Sequence, residues 1–299
     1  MNVYFSPAYG DTEVAFDTTR KSAAIAASLV TEPIPGVMMV APDPVTPEEL
    51  KSVHTSSYVD AVLTGQPRAL AATNGIGWDA GFARAVCASN GGVRDAAMLA
   101  YRTHSNAGSL SSGLHHAYAD HGSGYCTFNG LVIAAGGVLA AGARRVLIVD
   151  LDAHCGGGTA SLIAGIASVE QIDVAVDDFD HYSSTPNSML TMSNGVDYLD
   201  EVGRCLESVV SPSTIDVVLY NAGMDPHRHG GGHPAIGTEM LAAREAMVFG
   251  WAARHGTPVA WVLAGGYTDG NEGAELDMAS LVDLHRMTII AAADCSATR

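Results

Sequence analysis

Four stretches of the chain are apolar at nearly every position: RRVLIVD (144–150), IDVAVDD (172–178), IDVVLYNAG (215–223) and PVAWVLAGG (258–266). A strand without polar alternation must be covered on both faces, so these runs predict a parallel sheet with helices on either side. Ala-rich segments with capping residues predict helices over Pro47 to Leu63, Gly81 to Arg102, Gly130 to Ala143, Gly195 to Val210 and Glu239 to His255. No tandem repeat or low-complexity tract interrupts the alternation, and Pro and Gly fall at element ends instead of forming a linker. The expectation is one α/β domain over residues 1–299, with a mostly parallel sheet flanked by helices on both faces.

Open parallel sheets bind ligands beyond the carboxyl ends of their strands, so the residues following each run are the candidates for chemistry. The first run continues as RRVLIVDLDAHCGGG, placing Asp150, Asp152 and His154 at alternate positions that share one side of an extended chain. The third leads into NAGMDPH and delivers Asp225; the fourth leads into LAGGYTDG and delivers Tyr267 after a glycine turn. Upstream, SSGLHHAYADHGSGYC sets His115 and His116 side by side. Two carboxylates and an imidazole form an open donor set suited to a catalytic zinc ion with room for water and a carbonyl. A neighbouring histidine can accept a proton and a tyrosine hydroxyl can bond an oxyanion.

Each residue alone has a plainer explanation. Asp150 could cap a turn, a His-His pair could be hydrogen-bonded structure, and Tyr267 after two glycines could be a core aromatic on a tight turn. His227, His229 and His233 in PHRHGGGHP read as a solvated loop lining the site. AHCGGGTA lacks the lysine of a phosphate-binding loop, and no GxSxG elbow occurs. The constellation favours metal-dependent amide hydrolysis.

Composition narrows the setting. Fifteen Lys and Arg face 32 Asp and Glu, a net charge of −17, which repels phosphate backbones and argues against nucleic acid while attracting cations. The longest apolar stretch, Gly130 to Ala143, is shorter than the roughly 18 residues a bilayer crossing needs and reads as a buried helix, so no membrane association is expected. The opening MNVYFSPAYGDTE has no basic n-region and no apolar core, unlike a secretory signal, and a cytoplasmic location is expected. Five cysteines without CxxC spacing, Cys87, Cys126, Cys155, Cys205 and Cys295, read as reduced thiols.

A His-His pair, a DxDxH stretch, an AGxD stretch and a GGY turn, in that order, resemble the histone deacetylase and acetylpolyamine amidohydrolase superfamily, of arginase/deacetylase fold. VHTSSYVDAVL (53–63) and SGYCTFNGLVIAA extend the likeness from about Val3 to Tyr267. The resemblance implies one Zn2+ per chain on Asp152, His154 and Asp225. His116 would be the general base, His115 its shielded electrostatic partner oriented by Asp150, and Tyr267 the oxyanion donor. Gly124, Tyr125, Gly265 and Gly266 would line the acyl tunnel. A structural K+ or Na+ near Asp150 is also implied, with Asp177 contributing. The substrate would be a small-molecule amide or acylated amine, with an acetyl-lysine protein or acetylpolyamine as alternatives and a catalytically altered metal- or ligand-binding homologue as a third reading. A homo-oligomer is left open.

The chain departs from the family at HCGG, where relatives carry HHGD or HHGN. Gly157 then stands where the partner of the second histidine is expected, and Asp120 or His121 are the candidates to replace it. The loop HRHGGGHPAIG after Asp225 also differs, which implies a changed pocket rim. Tyr267 stands where a second metal would need carboxylates, so one metal is expected.

Overall fold

A computed structural model describes residues 1–13, 16–269 and 273–297. Its strands are β1 (Asn2–Tyr4), β2 (Met38–Val40), β3 (Ala107–Ser112), β4 (Val146–Asp150), β5 (Val169–Ala175), β6 (Ser188–Met192), β7 (Val217–Ala222) and β8 (Val259–Leu263). Its helices are α1 (Asp17–Thr31), α2 (Pro47–Lys51), α3 (Ser56–Thr64), α4 (Arg68–Ala71), α5 (Ala80–Thr103), α6 (Gly130–Ala140), α7 (Gly157–Ile163), α8 (Tyr198–Glu207), α9 (Thr238–Arg254) and α10 (Met278–Ala297). The strands form one sheet in the order β2-β1-β3-β8-β7-β4-β5-β6, every neighbouring pair parallel.

Why the central strands read as continuous apolar runs is visible in how they alternate. Val146 and Ile148 of β4, Val217 and Leu219 of β7, and Ala260 and Val262 of β8 pack with α5 and α6 on one face. Leu147, Val149, Val218, Tyr220, Trp261 and Leu263 pack with α1, α8, α9 and α10 on the other. Each such side chain contributes about 1.5–3 kcal/mol by leaving water, which keeps the interior of β4 and β8 apolar on both faces. No helix among the described residues is long and apolar enough to cross a membrane.

Several boundaries differ from the sequence-based expectation. The helix over 47–63 is two helices. A capping box of Thr46 and Glu49 starts α2, and the break follows because His54 turns inward: its Nδ1 bonds the Tyr118 carbonyl at 2.8 Å and its Nε2 accepts from Asn129 N at 3.0 Å. The run 172–178 leaves the sheet at Ala175, and its last three residues turn. The helix expected from Gly195 starts at Tyr198, after a left-handed Gly195. Strands β1, β2, β3 and β6 and helices α1, α4, α7 and α10 were not expected. β3 hides in a serine-rich sequence because Ser109 and Ser111 satisfy each other at 2.8 Å while Tyr9 Oη lies 3.2 Å from Ser109.

Candidate metal centre

The four middle strands, β3, β8, β7 and β4, stand side by side and end on the same edge of the sheet. Beyond those ends lie His115 and His116 after β3, Tyr267 after β8, Asp225 after β7, and Asp150, Asp152 and His154 at and after β4. Parallel topology thus gathers residues more than a hundred positions apart.

Asp152, His154 and Asp225 present their donor atoms within 4.8 Å of one another. His154 Nδ1 lies 3.0 Å from Asp152 Oδ1 and 3.2 Å from Asp225 Oδ2. The remaining oxygens are held by main chain: Gly265 N donates to Asp152 Oδ2 at 2.6 Å and Ala153 N to Asp225 Oδ1 at 3.0 Å. Gly265 must be glycine, since a Cβ there would overlap the Asp225 carboxylate. Asp225 Oδ2 is buried and has no hydrogen-bond donor. An orphaned buried carboxylate oxygen facing an imidazole and a second carboxylate fits a divalent cation, since burying such charge uncompensated costs several kcal/mol.

The electrostatics agree. Burial and the charge of Asp152 lift Asp225 to about 6. Burial opposes the charge of His154, yet the carboxylates of Asp152 and Asp225 beside it raise it to about 11. Asp152, although burial pushes it upward, is held well below the carboxylate range by His115 and His154.

The paired histidines differ from each other. His115 Nδ1 donates to Asp150 Oδ2 at 2.8 Å, and Asp150 Oδ1 accepts from Asn221 Nδ2 at 2.8 Å. Burial disfavours the His115 cation, but Asp150 and Asp152 outweigh it and push the ring up to about 10. His116, its ring centroid 3.9 Å from that of His115, is driven down to about 4 by burial and then by the His115 charge. Its Nδ1 lies 2.9 Å from Asp180 Oδ2.

A cleft of about 450 Å³ opens onto this group, lined by Gly124, Tyr125, His116, His154, Phe179 and Tyr267. Tyr267 is buried, with the Phe16 ring at 5.9 Å and Lys21 Nζ 6.0 Å from its centroid. Gly265 lines the deeper end. Gly266 faces away: a side chain there would meet Leu281 and His285 behind the turn. Asp177 is exposed, caps its own loop by accepting from Phe179 N at 2.8 Å and lines the cleft, so it is not brought to Asp150. Asp120 and His121 do not serve His116; they pair with each other at 2.7 Å in solvent.

Four residues escaped the sequence reading. Asp180 and Phe179 follow a strand end and carried that signal. Lys21 and Arg244 did not, being lone cations in helices. Fully buried Lys21 donates to the Ala264 carbonyl, with the Gly266 carbonyl at 3.5 Å. Buried Arg244 donates to the Leu151 carbonyl at 3.0 Å and the Gly223 carbonyl at 2.7 Å while pairing with Glu245 at 2.7 Å. Leu151 immediately precedes Asp152, and Gly223 lies two residues before Asp225.

A parallel α/β sheet with an Asp-His-Asp centre, a histidine pair and a tyrosine at its carboxyl edge defines a deacetylase-type hydrolase fold. The chain belongs to the histone deacetylase domain family, whose model matches residues 15–281. It is 34% identical over 226 residues to an uncharacterized protein of a Picosynechococcus strain, covering 73% of this chain and 75% of that one. It is 31% identical over 228 residues to Histone deacetylase 15 of Arabidopsis thaliana, covering 69% of this chain but 41% of that longer protein. The crystal structure of an HDA15 HD domain superposes with a TM-score of 0.77 at 25% identity, covering 98% of this chain and 90% of that one.

Proposed function

We propose that the chain is a zinc-dependent deacylase that cleaves the linear amide bond of a small acylated amine. The observation that carries this reading is the convergence of Asp152, His154 and Asp225 with the His115–His116 pair, each ring bonded to its own carboxylate, and Tyr267 around one cleft. Asp152, His154 and Asp225 would hold the ion, which when bound supplies a Lewis acid for the carbonyl and acidifies water. His116, with Nδ1 engaged by Asp180, keeps Nε2 to accept the proton of the attacking water and return it to the leaving amine. His115, oriented by Asp150, supplies positive charge beside the developing oxyanion, and the Tyr267 hydroxyl donates to it. Gly124, Tyr125 and Phe179 wall the acyl group from solvent.

The net charge of −17 and Asp177 at the cleft mouth favour a cationic amine, free in the cytoplasm, as the leaving group. Deacetylation of a protein lysine is the second reading, favoured by the names of the plant relatives. The test is zinc content together with turnover of a panel of acetyl-lysine peptides, acetylpolyamines and simple N-acyl amines. Zinc-dependent release of amine, strongest for small cationic substrates and abolished by Asp152→Ala, is expected. Retention of both metal and turnover by Asp152→Ala sinks the proposal.

A further inference from the structure

We propose that Asp180 is the residue that positions the His116 imidazole, reaching it from the loop after β5 across space that Gly157 leaves free, with Tyr118 as its outer anchor. This rests on the reading of His116 as the base. Asp180 is joined from three sides: Oδ2 accepts from His116 Nδ1 at 2.9 Å and from Gly158 N at 3.1 Å, and Oδ1 accepts from the Tyr118 hydroxyl at 2.5 Å. A carboxylate is an acceptor only, so this contact fixes the proton on Nδ1 and leaves the Nε2 lone pair toward the cleft, the tautomer a base requires.

Two backbone features shape the arrangement. Asp180 has φ 61°, in the left-handed region that Asp enters more readily than most residues with a side chain. And a Cβ on Gly157 would sit 2.7 Å from Asp180 Oδ1 and closer still to the Asp180 carbonyl, so a side chain at 157 and a carboxylate at 180 exclude each other. Tyr118 is steadied in turn by His121, whose ring stacks on it at 4.8 Å and 4°. The HCGG sequence is therefore a relocation: the orienting carboxylate has moved from the loop after β4 to the loop after β5.

The experiment reads the His116 tautomer by 15N NMR, beside kcat, KM, zinc content and melting temperature. Asp180→Ala removes the acceptor; the Nδ1–H signal should vanish and kcat fall about 10- to 100-fold, the usual size for losing a partner of this kind, with KM and zinc content unchanged, whereas Asp180→Asn, whose amide oxygen can still accept from His116 Nδ1 and Gly158 N, should keep the signal. Gly157→Ala should displace the Asp180 loop, because its Cβ would meet the Asp180 carbonyl and carboxylate, and lower both the Nδ1–H signal and kcat, with some fall in melting temperature expected from the main-chain clash. An Nδ1–H signal that survives both Asp180→Ala and Gly157→Ala, with kcat within twofold of the parent, overturns the proposal. Because the tautomer is read without turnover, a chain inactive on every amide still decides this point while failing the functional reading separately.

Discussion

The proposed ligand side of the cleft and the proposed proton-transfer side are built by different means. Asp152 and Asp225 are fully buried, their outer oxygens are fixed by main-chain N–H groups, and Arg244 ties the backbone beside both of them. His116 is instead oriented through a largely buried side-chain carboxylate on a loop, itself anchored by a tyrosine reached by solvent. Main-chain donors cannot be changed by substitution, whereas a side-chain relay can be rerouted. On the proposed reading, that difference matches a ligand set built on main chain beside a base whose partner comes from a separate loop.

The comparison can be broken first at the ligands. Asp225→Ala deletes the orphaned oxygen and should leave no bound zinc by elemental analysis and turnover reduced by at least about a thousandfold; stoichiometric zinc in that variant would show the ligand side is misassigned. Next, Arg244→Met strands Glu245, which also accepts from Tyr220 at 2.7 Å, in the core. Urea unfolding should report a loss of about 3–5 kcal/mol, and a loss under 1 kcal/mol would mean that the ligand loops do not depend on this cation. Tyr267→Phe should lower kcat by about 10²- to 10³-fold while zinc content stays at one per chain; an unchanged rate removes its role at the oxyanion.

The smallest effect sharpens the role of Lys21. Burial lowers its pKa from 10.5 to about 8, so between those values the unfolded chain binds more protons than the folded one. Stability attributable to this group therefore rises with pH from about 8 to 10.5. Relative to Lys21→Met, the parent should gain stability across that window in urea titrations, and parallel curves would mean that Lys21 is hydrated.

Much of this was legible beforehand because two kinds of signal survive in a linear sequence. Strands buried on both faces leave uninterrupted apolar runs, so β4, β7 and β8 were placed to within a few residues, and the polar residues just past them stood out. β3 was missed although its loop was flagged, since its serines are satisfied inside the core and break the apolar run. Asp180 was missed in favour of Asp120 and His121 because nearness along the chain says nothing about a loop folding back over a glycine. Lys21 and Arg244 look like surface charges until the carbonyls they serve are known.

The order of the strands sets when the cleft can come into being. β8, last of the eight to be synthesised, lies between β3 and β7. Until it slots in, the histidine pair and the acidic ligands belong to two separate half-sheets, each with a bare hydrogen-bonding margin open to unwanted pairing. A chain ending before residue 259 is thus expected to be sticky, and the cleft is completed by the same step that seals the sheet.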